Sequence, residues 1–186
     1  MMPTDAAQWS ELLTTLHDSP VTIALVAAGG GSGAIHQCFQ HAGASRTFVE
    51  AVIPYSRAAM VEYLGGPPID ASASLPTARQ LAARARQRAE RLCDEDDQRR
   101  RWVGVALVAA LPTDTPRRGG DRIHVAWASI DGGRQWSLTL AKDSCTRAEA
   151  ETISDEMMFL ALASLVDGIS QDRFFRQTDL PIQATL

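Results

Sequence analysis

Residues 21–28, Val-Thr-Ile-Ala-Leu-Val-Ala-Ala, form a nearly unbroken apolar run, and Gly29-Gly30-Gly31-Ser32-Gly33 follows at once. A run this short and this apolar suits a strand covered on both faces, as in a parallel sheet packed between helices. The five small residues then make a tight joint into a helix over Ala34 to His41, which Gly43 closes as a C-cap. A strand of this kind cannot stand alone. It requires a layer of helices above and below it.

The rest of the chain supplies them. Thr4 or Asp5 caps a first helix with Trp9, Leu12, Leu13 and Leu16 at helical spacing, and Asp18-Ser19-Pro20 stops it. A second strand runs from Thr47 to Pro54, and Ser56 caps a helix ending at Gly65-Gly66-Pro67-Pro68. Ser74-Leu75-Pro76 opens a long helix with Ala78, Leu81, Ala82, Ala85, Ala89 and Leu92 on one stripe. The arginines 79, 84, 86, 88 and 91 form its basic outer face. After a charged link at 94–101, Val103 to Leu111 reads as a further buried strand. Strands at 122–130 and 135–141 flank Asp131-Gly132-Gly133, a hairpin signal that places Trp127 and Trp136 against each other or against a subunit partner. Thr146-Arg147-Ala148-Glu149 is a capping box opening a last helix, apolar nearly all round from Met157 to Val166 and ended by Gly168. The order predicts an α/β fold: a three-layer α/β/α sandwich on a mixed, mostly parallel sheet with an antiparallel edge hairpin.

The 186 residues fit a single domain, with a core over about 5–168 and a polar tail, 170–186, that carries Phe174-Phe175. The net charge of −4 argues against a nucleic-acid binder. Three cysteines, Cys38, Cys93 and Cys145, without a C-x-x-C pairing fit free thiols in a reducing compartment. No basic, apolar leader opens the chain, and no segment approaches the roughly 18 consecutive apolar residues of a spanning helix, so a cytoplasmic protein with no membrane partner is expected. The apolar last helix, the hairpin tryptophans and Phe174-Phe175 together suggest a homo-oligomer.

The glycine turn is the natural place for chemistry. Glycines let a ligand approach the backbone, and the free N–H groups at a helix N-terminus favour phosphate or carboxylate. The turn is not a Walker A loop, since no Lys-Ser or Lys-Thr follows, and it is not the G-x-G-x-x-G dinucleotide fingerprint. It serves either as a tight strand-to-helix connection or as an anion cradle, the latter made of Gly29, Gly30, Gly31, Ser32 and Gly33. His36 and His41 lie about 140° apart on their helix and make poor joint metal ligands. His124 is expected on an open sheet face, and Cys145 as an inert thiol. Arginines 117, 118 and 122 read as a solvated loop able to reach over the turn. No metal site and no cofactor are read from the chain.

From the first helix to Val166 the chain resembles the C-terminal domain of the CinA (competence/damage-inducible) family, whose working members are nicotinamide-nucleotide amidases. The family's Glu-Ser-Cys-Thr-Gly-Gly after its apolar strand falls on Ala28-Gly29-Gly30-Gly31-Ser32-Gly33. Its Pro-Gly-Ser-Ser, then a strand and Ala-Tyr-Ser, falls on Ala42-Gly43-Ala44-Ser45 and Pro54-Tyr55-Ser56. Its Leu-Leu-Gly, Val-Gly-Val and Thr-Pro match Tyr63-Leu64-Gly65, Val103-Gly104-Val105 and Thr115-Pro116. The resemblance implies a ligand site on Gly29 to Gly33, Tyr55, Ser56, Thr115 and Arg147.

The departures fall where the reaction would occur. The family's motif serine, its implied nucleophile, aligns with Gly29 and the preceding glutamate with Ala28. The lysine after Tyr-Ser aligns with Met60, and the Thr-Gly-Ile-Ala-Gly-Pro loop with Ala106 to Leu111. Its Gly-Asp-Arg aligns with Lys142-Asp143-Ser144, three residues before Arg147. Amide hydrolysis needs an activated nucleophile and a base within its reach. The expectation is therefore a catalytically impaired relative that keeps a nucleotide- or phosphate-binding cleft at 28–33. The alternative is an active amidohydrolase in which Ser32 or Tyr55 takes over.

Overall fold

Side chains alternate across the first strand of the computed structural model, β1 (Val21–Ala28), and so divide the molecule into layers. Residues 5–66, 69–93, 100–115, 119–142, 144–167 and 183–185 are described. Val21, Ile23, Leu25 and Ala27 enter one core with helices α1 (Ala6–Asp18), α2 (Ser32–Gln40) and α5 (Arg147–Ala163). Ala24, Val26 and Ala28 enter a second core with α3 (Arg57–Leu64) and α4 (Leu75–Leu92). The strand is buried at all eight positions, as its apolar run predicts.

The sheet is mixed, in the order β2-β1-β3-β4-β5-β6. β2 (Phe48–Val52) and β3 (Arg101–Ala110) pair parallel to β1 on either side. β4 (Asp121–Ser129) and β5 (Gly132–Leu140) continue it antiparallel, and β6 (Gln183–Thr185) adds antiparallel to β5. The antiparallel part is thus half of the sheet, and the hairpin is covered at its outer side by β6. Ile130 and Asp131 alone form the hairpin turn, since Ser129 pairs with Gly132 and both glycines belong to β5.

Several local outcomes differ from the sequence pattern for identifiable reasons. Helix α2 begins at Ser32, inside the small-residue run, and ends at an extended His41; Gly43 instead starts a short 3₁₀ turn, Ala44–Arg46. Arg84 and Arg88 do not sit on a free basic face. Arg84 Nε donates to the Tyr63 carbonyl at 3.1 Å, and Arg88 forks onto Glu50 of β2, tying α4 to its neighbours. Trp127 and Trp136 are buried in the α1/α2/α5 core, with Trp127 Nε1 donating to Ser164 Oγ at 2.7 Å. Their burial, and that of α5, is explained within one copy of the chain. Arg122 donates to the carbonyls of Ala73 and Gly120 and does not reach over the turn. Arg117, Arg118, Gly168, Phe174, Phe175 and the acidic run 94–97 lie outside the described residues. Among the described residues no helix is long and apolar enough to cross a membrane.

Among the described glycines, Gly104 is the one where an added Cβ would meet the tightest contact. A Cβ there would lie 2.0 Å from the Ala82 carbonyl oxygen and 2.3 Å from the Arg86 nitrogen. The small residues Ala78, Ala82, Ala85 and Ala89 let α4 come down on β3 at this point. Backbone cannot swing aside as a side-chain tip can, so added volume here separates a helix from the sheet. Gly104→Val is expected to cost roughly 3 kcal/mol or more. Urea unfolding checks this, and an unchanged midpoint would contradict it.

Candidate functional site

The turn leaves β1 at Gly29 and enters α2 at Ser32, with Gly29 at φ +85° and Gly31, the N-cap of α2, at φ +83°. Both angles are in the left-handed region that favours glycine. Crowding adds to the angles. A Cβ on Gly29 would sit 2.1 Å from the Ala109 carbonyl oxygen, because β3 continues as strand to Ala110 alongside the turn. A Cβ on Gly30 would meet Ser154 Oγ at 2.7 Å and Leu111 Cδ1 at 2.9 Å. On Gly33 it would meet the Asp155 carboxylate at 2.2 Å. The turn is enclosed by the end of β3 and by one face of α5.

That face of α5 carries two carboxylates four residues apart, Glu151 and Asp155. Helix α2 has no side-chain cap of its own at Gly31, so its first N–H groups need acceptors from elsewhere. Ser32 N donates to Glu151 Oε1 at 3.2 Å, and Ala34 N donates to Asp155 Oδ1 at 2.8 Å. The Gly33 amide lies beside the same carboxylate and, with that of Ala34, favours its charged form. The positive end of the α2 dipole adds to these contacts. The atoms that would cradle a phosphate are therefore bonded to the chain's own carboxylates.

The remaining polar groups arrange themselves around this pair. The Ser32 hydroxyl is exposed and donates to Glu151 Oε1 at 3.0 Å. Arg147 lies one turn before Glu151 on α5, with Nη2 donating to the Gly29 carbonyl at 3.2 Å and lying 3.8 Å from Glu151 Oε2. Glu151 Oε2 itself is buried and has no hydrogen-bond donor. Burial pushes the Asp155 carboxyl up to about 6, helped by the nearby charges of Glu151 and Glu156 and opposed by the N–H groups of Ala34 and Gly33. Glu149, in the capping box, goes the other way, held below the usual carboxylate range by hydrogen bonds from Thr146.

Of the residues anticipated from sequence, Gly29 to Gly33, Ser32 and Arg147 come together here. Among the described residues no hydrogen bond or ion pair joins Tyr55, Ser56 or Thr115 to them. The Tyr55 side chain is 69% exposed. Ser56 is occupied as the N-cap of α3, accepting from Ala59 N at 3.1 Å. Thr115 is exposed and, among the described residues, bonds within its own loop, to Asp114 and Thr113. Glu151, Ser154 and Asp155 were missed by sequence reasoning. Their signal was acids at i and i+4 on a helix whose next turns are almost wholly apolar. Cys145 is half-buried, and the buried Cys38 thiol is pushed up to about 12 by desolvation, well away from a reactive state. His124 faces the α4 side of β4 and bonds the Ser137 hydroxyl at 2.7 Å. No set of three or more His, Cys, Asp or Glu side chains able to hold a metal occurs among the described residues.

The α5–α2 contact makes stability depend on pH. The folded pKa of Asp155, about 6, lies above its ordinary value of 3.8. Its contribution is therefore fullest below about pH 4 and is lost as pH rises through about 6. Between these limits Asp155→Asn is expected to lose about 1 kcal/mol less stability than the unaltered protein, a figure reduced for a side chain that water reaches on one side. Denaturant unfolding at pH 4 and pH 7 checks it, and equal changes in the two proteins would contradict it.

No family model matches the chain, and no curated protein matches it in sequence. Solved structures do match it in three dimensions. The competence/damage inducible protein CihA from Agrobacterium tumefaciens superposes with a TM-score of 0.67 at 16% identity, covering 89% of this chain and 96% of that one. A competence-damaged protein (CinA) superfamily protein from Enterobacter cloacae gives 0.66 at 17% identity, covering 91% and 95%. Another from Escherichia coli gives 0.65 at 15% identity, covering 89% and 92%. At this level of identity the likeness is one of fold. The chain carries the α/β fold of these CinA superfamily proteins over nearly its whole length, at 15–17% sequence identity.

Proposed function

We propose that this chain is a non-hydrolytic counterpart of the CinA-type nicotinamide-nucleotide amidases, acting by binding rather than by bond cleavage. The observation that carries the proposal is Gly29. Where the family's motif places a serine, this backbone is at φ +85° and a Cβ would lie 2.1 Å from the Ala109 carbonyl oxygen. No nucleophile can be seated there without moving β3. The loop that carries threonine and two glycines in the family is here the end of β3, with Ala106, Leu107 and Val108 buried. Loss of the serine and closure of the loop against the turn are thus one change seen from two sides.

The same geometry bears on what the turn would bind. Glu151 and Asp155 satisfy the N–H groups of α2, so a phosphate gains those bonds only by displacing two carboxylates and meeting their charge. The arrangement favours a ligand that offers N–H groups to Glu151, whose Oε2 is buried without a donor. A second proposal rests on Ser32. Its exposed hydroxyl, at the N-terminus of a helix and 3.0 Å from a carboxylate, has the elements of a replacement nucleophile.

Ammonia release from nicotinamide mononucleotide separates the two. The purified protein is expected to release none above the protein-free rate, and Ser32→Ala to change nothing. Release that Ser32→Ala abolishes would overturn the non-hydrolytic proposal in favour of the second. Gly29→Ser, which writes the motif serine back, is expected to give no activity and to cost about 3 kcal/mol of stability through strain and overpacking.

A further inference from the structure

The amino ends of β1 and β3, at the opposite end of the sheet from the glycine turn, open into a pocket of about 490 Å³. Thr15 and Asp18 at the end of α1, Arg101 at the start of β3, and Leu165, Val166 and Asp167 beyond α5 line it. Arg101 lies on the same sheet face as Val103 and Val105, beneath α1 and α5. Its guanidinium carbon is 5.3 Å from the centre of the Trp127 ring, which is itself held by the hydrogen bond to Ser164. Stacking over a ring engages the flat face of a guanidinium and leaves its N–H edges for an acceptor in the ring-parallel plane.

Among the described residues no side chain or carbonyl supplies such an acceptor. Arg101 Nε is buried without a hydrogen-bond partner, and the residue forms no ion pair among the described residues. A buried cationic donor left in this state is costly. Two carboxylates line the same pocket, yet neither answers it. Asp18 is directed to Arg46, at 4.0 Å in an exposed contact worth little, and Asp167 is exposed with no ion-pair partner among the described residues. Among the described residues the pocket therefore presents one cation without an acceptor, two acids near the surface, and an apolar wall from Leu165 and Val166.

We propose that this pocket binds a small zwitterion, with its carboxylate on the Arg101 guanidinium and its ammonium beside Asp18 and Asp167. A simple anion would gain Arg101 and be repelled by both acids, and a simple cation would meet the reverse. Only a molecule carrying both charges satisfies all three side chains, and an aliphatic body fits the Leu165–Val166 wall. The site shares no residue with the glycine turn and does not depend on its chemistry.

The test uses three probes of similar length: L-norvaline, pentanoate and pentylamine, titrated into the isotope-labelled full chain and followed by backbone amide shifts and tryptophan fluorescence. L-Norvaline is expected to shift the amides of Thr15, Arg101 and Leu165 and to bind at least about tenfold more tightly than either single-charge probe. Arg101→Gln is expected to abolish this binding. Because that change also uncovers Trp127, Asp167→Asn serves as a second variant at an exposed position. It is expected to weaken L-norvaline at least about threefold and leave pentanoate unchanged or tighter. No shifts with L-norvaline at about 10 mM, pentanoate or pentylamine binding as well as the zwitterion, or Asp167→Asn leaving L-norvaline unaffected would each overturn the proposal.

Discussion

Two carboxylates of α5 reach across to the first N–H groups of α2, and most of what is distinctive in this molecule depends on that contact. Helix α2 follows a run of glycines and cannot cap itself. Glu151 and Asp155 supply the missing acceptors, one helical turn apart, so a single face of α5 meets Ser32, Gly33 and Ala34 together. The contact asks Gly33 to be glycine, since a side chain would collide with Asp155, and it keeps Gly30 small against Ser154. It also locks the path of the turn between α5 on one side and β3 on the other.

From this contact follows the electrostatic character of the site. A glycine turn opening a helix is ordinarily a place of positive potential. Here the potential is answered from within the chain, at the expense of burying Asp155 enough to move its carboxyl up to about 6. Arg147 balances part of the accumulated negative charge and holds the Gly29 carbonyl. In a fold shared with CinA superfamily proteins of known structure, this turn thus has its first N–H groups taken up by carboxylates of the same chain.

The layered fold was legible from the chain because its evidence is local. The unbroken apolar run of β1, the Ser74 and Thr146 caps and the alanine stripe of α4 each state their own burial and boundaries. The family likeness was legible for a related reason, since Val103-Gly104-Val105 records a place where only a hydrogen lets α4 approach β3. The site was legible only in part. Gly29 to Gly33 and Arg147 could be placed together, but Glu151 and Asp155 come from well over a hundred residues further along the chain, and no periodicity says which acid will turn toward which helix end. Tyr55 and Ser56 match a motif, yet the structure leaves one in solvent and spends the other on capping α3. The role of Arg88 was hidden likewise: a helix arginine looks solvated until Glu50 on another strand is seen to meet it.

With Glu151 and Asp155 bonded to the first N–H groups of α2, that helix end is expected to be closed to anions. Titrating inorganic phosphate into the isotope-labelled protein, while following the amides of Ser32, Gly33 and Ala34, tests it most directly. These amides are predicted to stay in place in the unaltered chain and to shift with phosphate once Glu151→Gln and Asp155→Asn are combined. Phosphate-dependent shifts of the same amides in the unaltered chain would contradict the account.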